Sequence, residues 1–288
     1  MKSLNFELKQ LSRRNRDGSY ATQVARERIL SQIANQMREL GFRHVRVTRL
    51  KPRHVEALVA RWQEERLAPA TIKNRMAALR WWAEKINKQN VVARDNSHYG
   101  IPERIYIEKT SRALELTSER LDAVRDEYVR MSLRLQAAFG LRREEAIKFM
   151  PMFADRGVEV VLKPSWTKGG RGRVLPVLTD QQREVLDAAR RLAGNGSLIP
   201  AARNYRQQLR IYERHTANAG LSKLHGLRHS YAQRRYRALT GWPAPLAGGP
   251  PQASLSETEQ QRDRLARQII SGELGHGRER VTRIYLGR

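Results

Sequence analysis

The 288-residue sequence contains no cysteine, which excludes disulfides, thiolate metal sites and cysteine nucleophiles. It has no uninterrupted apolar run near the roughly 18 residues that a membrane span requires. Its first twenty residues also lack the apolar stretch of a secretory signal. These absences predict a soluble, cytoplasmic protein with no membrane partner. Carboxylates are scarce, with 29 Asp+Glu against 55 Lys+Arg and a formal net charge of +26. So large an excess of cations favours a polyanionic partner, because each neutralised phosphate releases condensed counterions. An anionic membrane surface or a ribosome would satisfy the charge equally well.

Apolar residues make up 40% of the chain, enough for two packed cores. Residues 1–18 are polar and end in Arg13-Arg14-Asn15-Arg16-Asp17-Gly18, which reads as a basic arm. Helical spacing then begins with Val24, Ile29, Ile33, Met37 and Leu40, and Gly41 is the expected stop. Val55, Leu58, Val59 and Trp62 form a second stripe after Pro52, and Ile72, Met76, Leu79, Ala83 and Ile86 a third after Pro69. Lys73, Arg75 and Arg80 are expected on the outer face of the third helix, suited to a duplex backbone. Trp81 and Trp82 suit core packing better than base stacking. A helical domain over 19–95 follows, and residues 96–112, rich in Asn, Ser, Gly and Pro at their start, read as a linker.

In the remainder, 113–288, a helix capped by Thr117 or Ser118 is predicted to continue to Phe139. Strands are predicted around Val158–Leu162 and Arg173–Val177, joined by the Gly-rich connection Trp166–Gly172. Thr179 with Gln182, and Ser256 with Glu259, mark helix starts. Two more helices are expected over Tyr205–Ala219 and His225–Leu239. The fold class is therefore mainly α: an N-terminal helical domain plus an α+β domain with a small antiparallel sheet.

Arg142 in Gly-Leu-Arg-Arg-Glu-Glu, Lys168 in the hairpin, His225 and Arg228 in His-Gly-Leu-Arg-His, and His276 in Leu-Gly-His are the candidate site residues, with Tyr285 nine positions on. Each alone has a bland explanation: a helix-start arginine paired with Glu145, a solvated lysine, a capping histidine, a packed tyrosine. Their combination and order resemble the tyrosine recombinase (phage integrase) family, over about residues 20–288. Residues 20–92 look like that family's core-binding domain and 113–288 like its catalytic domain. The resemblance implies site-specific DNA recombination through a 3′-phosphotyrosyl intermediate, used to integrate or excise a mobile element. It also implies a tetramer on paired DNA sites, and leaves room for an accessory DNA-bending or directionality factor.

The chemistry of the set is consistent with that implication. Two guanidiniums, Arg142 and Arg228, can grip the non-bridging oxygens of a phosphodiester under attack. His225 can take the phenolic proton of Tyr285, Lys168 can protonate the departing 5′ oxygen, and His276 can hydrogen-bond the phosphate. Glu145 and His229 are assigned supporting roles, and Arg171 and Arg173 of the hairpin DNA contacts. No metal or nucleotide cofactor is expected, since the sequence shows neither a carboxylate cluster nor a phosphate-binding Gly-x-x-x-x-Gly-Lys-[Ser/Thr] loop. The 48 positions from Arg228 to His276 exceed the family's spacing. The excess lies in the Gly/Pro stretch 241–251 and the helix after it, and reads as a tolerated surface excursion rather than a partner-contacting or DNA-contacting insertion. Only Leu286-Gly287-Arg288 follow the tyrosine, too few for the docking tail of many relatives. Assembly would then use another surface, or the natural tail lies beyond this chain. The rivals are a type IB topoisomerase-like enzyme and a non-catalytic DNA-binding protein of the same fold.

Overall fold

In the computed structural model, residues 3–103, 110–276 and 279–288 are described, and the chain divides into two compact units, Met1–Ile105 and Tyr106–Arg288. Among the described residues no helix is long and apolar enough to cross a membrane.

The first unit contains α1 (Leu4–Arg14), α2 (Tyr20–Glu39), α3 (Pro52–Glu64) and α4 (Pro69–Lys85). Prolines open α3 and α4 at positions where the missing N–H costs nothing. The predicted stripes meet in one core around Ile33, Met37, Leu58, Trp62, Leu79 and Trp82. Fully burying a side chain of this size contributes about 1.5–3 kcal/mol. The buried indoles of this unit find acceptors: Trp62 Nε1 donates to Gln36 Oε1 at 2.9 Å, and Trp82 Nε1 to the Val47 carbonyl at 2.8 Å. Trp81 Nε1 donates to Asp17 at 2.8 Å, and this bond and that from Lys85 hold the Asp17 carboxyl down at about 2.

Three expectations are corrected here. Residues 4–14 are not an arm: Ser3 caps α1, Leu8 enters the core, and Glu7 accepts the Val47 N–H at 2.7 Å. The linker expected from residue 96 starts later, because Ile101 is buried in this unit. Arg80 Nε donates to the Ala93 carbonyl at 3.0 Å and its Nη2 to Asn96 Oδ1 at 2.8 Å, so Arg80 fastens that stretch instead of standing free for a phosphate. Arg75 is buried, its guanidinium 5.2 Å from the Trp62 ring. Lys73 is half-buried. Residues 104–109 of the expected linker lie outside the described residues.

The second unit begins with α5 (Ser118–Asp122) and α6 (Glu127–Phe139), two helices where one was predicted, because Asp126 caps a new start by accepting the Val129 N–H at 3.0 Å. Two short helices, α7 (Arg143–Ile147) and α8 (Pro151–Ala154), precede β1 (Glu159–Leu162) and β2 (Arg173–Pro176), which pair antiparallel with Leu162 opposite Arg173. Next come α9 (Asp180–Ala193), α10 (Tyr205–Asn218), α11 (Gly226–Thr240), α12 (Glu257–Glu273) and α13 (Arg283–Leu286). One core joins α6, the hairpin and α9; another joins α11, α12 and α13. The Gly/Pro stretch is more than a surface excursion. Its Pro245–Ala247 3-10 turn lies against α13, and Ala244 and Leu255 are buried.

Candidate active site

The turn after α6 ends at Gly140, whose φ of +60° an L side chain rarely adopts. A Cβ there would also come within 2.6 Å of Tyr231 Cδ1, so only glycine lets α11 approach this closely. Arg142 is the N-cap of α7, and Glu145 closes a capping box by accepting the Arg142 N–H at 2.7 Å. The pairing with Glu145 is present, with Arg142 Nη1 donating to Oε1 at 2.8 Å. Arg142 nonetheless keeps 22% of its side chain exposed, whereas Glu145 is wholly buried.

The His-Gly-Leu-Arg-His stretch opens α11, and the i, i+3, i+4 spacing of His225, Arg228 and His229 sets all three on one face. Arg228 is 1% exposed. It donates to the Gly140 and Leu274 carbonyls, while His276 Nε2 lies 3.5 Å from its Nη2. Burial, then the nearby Arg142, lower its pKa to about 10, so it remains a cation at neutral pH.

Leu274-Gly275-His276 is the C-terminal cap of α12. Gly275 takes φ +62°, its N–H reaches the Gly272 carbonyl at 2.8 Å, and the His276 N–H reaches the Ser271 carbonyl at 2.9 Å, a Schellman arrangement. The cap aims His276 inward and leaves carbonyls at the negative end of the helix dipole, where cations are favoured. Three guanidiniums gather there. Arg142 Nη2 donates to Leu274 O at 3.3 Å, Arg228 donates to the same oxygen, and Arg173 Nε donates to Glu273 O at 2.9 Å. Glu273 itself accepts from the Tyr231 hydroxyl at 2.8 Å and Arg235 Nε at 2.9 Å, fixing α12 to α11.

Tyr285 sits in the four-residue α13 and is 5% exposed. Its hydroxyl lies 3.1 Å from His225 Nε2, and its ring is 4.5 Å from His229 and 5.3 Å from His276, nearly parallel to the latter. The Arg228 guanidinium is 5.9 Å from the ring centre. Packing against Tyr231, Ala232 and Tyr236 holds the phenol, helped by Gln233 Nε2 donating to the Tyr285 carbonyl at 3.0 Å. Arg267, paired with Asp263 and buried, donates Nη1 to the Gly287 carbonyl at 2.8 Å and so fastens the residues after the tyrosine.

Burial among cations keeps the imidazoles neutral. The His225 pKa lies below its usual 6.5, first through desolvation and then through Arg228 and Arg142. Desolvation, followed by the neighbouring His225, lowers His229 to about 4. Desolvation, followed by Arg228, lowers His276 to about 3. Arg228 Nε, His229 Nδ1 and His276 Nδ1 have no hydrogen-bond partner among the described residues. Beside His225 and His229 opens a cleft of about 830 Å³ bordered by Ser111, Arg112, Leu114 and Lys223.

Arg142, His225, Arg228, His276 and Tyr285 therefore converge, with Glu145 and His229 beside them. Lys168 does not join them: it is exposed in the Trp166–Gly172 connection, next to the left-handed Gly169 and Gly170. Arg171 is exposed on the same loop. Arg173 is corrected: its side chain is 6% exposed, and its guanidinium meets Glu145 at 2.7 and 2.6 Å, leaving no face for DNA. Strand alternation carries the signal for that burial, since Arg173 shares a face with the buried Leu175 while Val174 points outward. Among the described residues no group of three His, Asp or Glu is placed to hold a metal ion.

Two cationic forks, three neutral imidazoles and a phenol in a basic helical protein make a constellation suited to phosphodiester cleavage by tyrosine. Residues 1–92 match the family described as phage integrase, N-terminal, and residues 102–234 match the integrase family. The fold is similar to that of a lambda integrase dimer bound to a COC′ core site, at TM-score 0.62 and 14% identity, covering 100% of this chain and 96% of that one. XerH recombinase bound to difH substrate aligns at TM-score 0.55 and 17% identity, over 98% and 80% of the two chains. The Tn1549 transposon integrase in complex with circular intermediate DNA aligns at TM-score 0.55 and 12% identity, over 100% and 96%. No curated protein matches the sequence significantly. The chain belongs to the tyrosine recombinase (phage integrase) family of site-specific DNA recombinases.

Proposed function

We propose that this protein cleaves and reseals duplex DNA with Tyr285 as the nucleophile, recombining specific sites to integrate or excise a mobile element. The phenolic oxygen attacks the scissile phosphorus as its proton passes to His225 Nε2, and the P–O5′ bond breaks to leave a 3′-phosphotyrosyl link. Arg142 and Arg228 stabilise the charge that develops on the non-bridging oxygens, and His276 adds a hydrogen bond. Lys168 protonates the departing 5′ oxygen once the hairpin closes on DNA. The reverse attack by a free 5′ hydroxyl reseals a strand, and because the link conserves the bond energy, no nucleotide cofactor is consumed. The observation that carries this reading is the 3.1 Å approach of His225 Nε2 to the Tyr285 hydroxyl beside the buried Arg228 cation.

Both units contribute to DNA binding, with exposed Arg171 and half-buried Lys73 among the contacts, and affinity falls steeply with salt. Two DNA sites pair through four protomers, as a lambda integrase tetramer does on a Holliday junction. Recombination takes place in the cytoplasm, where an accessory DNA-bending or directionality factor can set its direction.

A library of nicked random-sequence duplexes tests the reading. A denaturation-resistant protein–DNA adduct whose trapped ends share one sequence is expected. Failure to trap any adduct, or an adduct undiminished in Tyr285→Phe, overturns it.

A further inference from the structure

Glu145 is a wholly buried carboxylate serving two arginines. Oε1 accepts from Arg142 Nη1 at 2.8 Å and Arg173 Nη1 at 2.7 Å; Oε2 accepts from the Arg142 N–H at 2.7 Å and Arg173 Nη2 at 2.6 Å. Burial alone pushes such a carboxyl up, yet Arg173 first and Arg142 next outweigh it and hold Glu145 at about 2. It is therefore an anion at every working pH. A lone carboxylate against Arg142 would cancel the charge that Arg142 must offer a phosphate, and in a buried setting that cancellation is poorly screened.

We propose that Arg173 is a positioning residue that neutralises Glu145, so that Glu145 can orient Arg142 without consuming its charge. The assignment rests on the reading that Arg142 grips the scissile phosphate. The geometry divides the labour between the two arginines. Arg173 is 6% exposed with both Nη groups on the carboxylate and Nε on the Glu273 carbonyl, whereas Arg142 is 22% exposed. Together Arg142, Arg173 and Arg228 against one carboxylate leave a net charge of +2, which balances the two negative charges approached in a phosphorane-like transition state.

Arg173 also joins the site to the hairpin. It opens β2, directly after the connection that carries Lys168, and its Cδ lies where a Cβ on Gly275 would come within 3.0 Å. The α12 cap that delivers His276 is thus built against this arginine.

The test is single-turnover adduct formation on the nicked duplex recovered by trapping, with DNA affinity and thermal melting measured on the same samples. Arg173→Met is expected to slow cleavage by about a hundredfold or more while changing affinity little. In Arg173→Met/Glu145→Gln the uncompensated anion is gone, and cleavage is expected to recover by about tenfold over Arg173→Met. A residue that merely holds the fold would give a double variant no faster than Arg173→Met, and that result overturns the proposal. So does an Arg173→Met rate equal to wild type. Should Arg173→Met fail to fold, Arg173→Lys carries the test: retained charge predicts a rate well above that of Arg142→Ala, and a rate as low as Arg142→Ala contradicts it. If the wild-type chain forms no Tyr285-dependent adduct, the reading of Arg142 fails first and this assignment falls with it; a normal wild-type adduct with an indifferent Arg173 overturns the assignment alone.

Discussion

His225 Nε2 stands 3.1 Å from the Tyr285 hydroxyl, close enough to take its proton without any movement of the backbone. Desolvation and the Arg228 and Arg142 charges lower the pKa of that imidazole below its ordinary 6.5, so it is neutral at physiological pH and accepts at Nε2 in the tautomer protonated on Nδ1. The cleavage rate should hold through neutrality and fall only as acid protonates His225, with the limb below 6.5. A rate–pH profile on the trapping substrate measures this. His225→Gln should lower the plateau and remove that limb; an unchanged limb would assign the base elsewhere.

The two arginines proposed to grip the phosphate, Arg142 and Arg228, differ in what else they hold. Arg228 is buried and satisfies the Gly140 and Leu274 carbonyls, whereas Arg142 is partly exposed and shares its carboxylate with Arg173. Both alanine variants should lose cleavage while keeping most DNA affinity. Arg228→Ala should also cost about 1–3 kcal/mol of stability by removing the buried donor of the Gly140 carbonyl and leaving Leu274 O only its longer bond from Arg142. Denaturant melts with parallel adduct assays separate the two, and normal cleavage by either variant removes that arginine from the site.

The residues after Tyr285 are held in place within the same unit, by Arg267 on the Gly287 carbonyl and by the Pro245–Ala247 turn against α13. Arg267→Met should therefore lower the rate of adduct formation more than it lowers DNA affinity. Equal losses in both would point to general destabilisation.

The neutral histidines make stability depend on pH. His229 and His276 take up protons near 6.5 when unfolded but only at about 4 and about 3 when folded. The unfolded state binds more protons in between, so their contribution is complete above about 6.5 and is lost as pH falls toward those values. Melting temperature should drop across that window, and His276→Gln should flatten the drop. An equally steep drop in that variant would contradict the burial account.

The helical stripes and the hairpin could be read from the sequence because each follows local spacing, whereas Arg142, His225, Arg228, His276 and Tyr285 stood out only through their combination and order, and the structure brings these five together. What escaped lies where a polar residue occupies a buried position. Arg75 continues the Ile72–Leu79 stripe and Arg173 alternates with Leu175, so the pattern marked both as inward, yet their charge suggested a surface. Leu4, Leu8 and Leu11 likewise form a helical stripe inside a stretch whose basic end made it look like an arm. Lys168 stands apart for a different reason. It lies exposed in the turn of the Trp166–Gly172 connection, beside two left-handed glycines, and no helix face or strand alternation sets its direction.

Everything rests on which atom becomes linked to DNA. The direct measurement is mass spectrometry of the trapped adduct after nuclease and trypsin digestion. The account predicts a nucleotide phosphate on the peptide Ile284–Arg288, attached to Tyr285. Modification of any other residue, with Tyr285 unaltered, would contradict it.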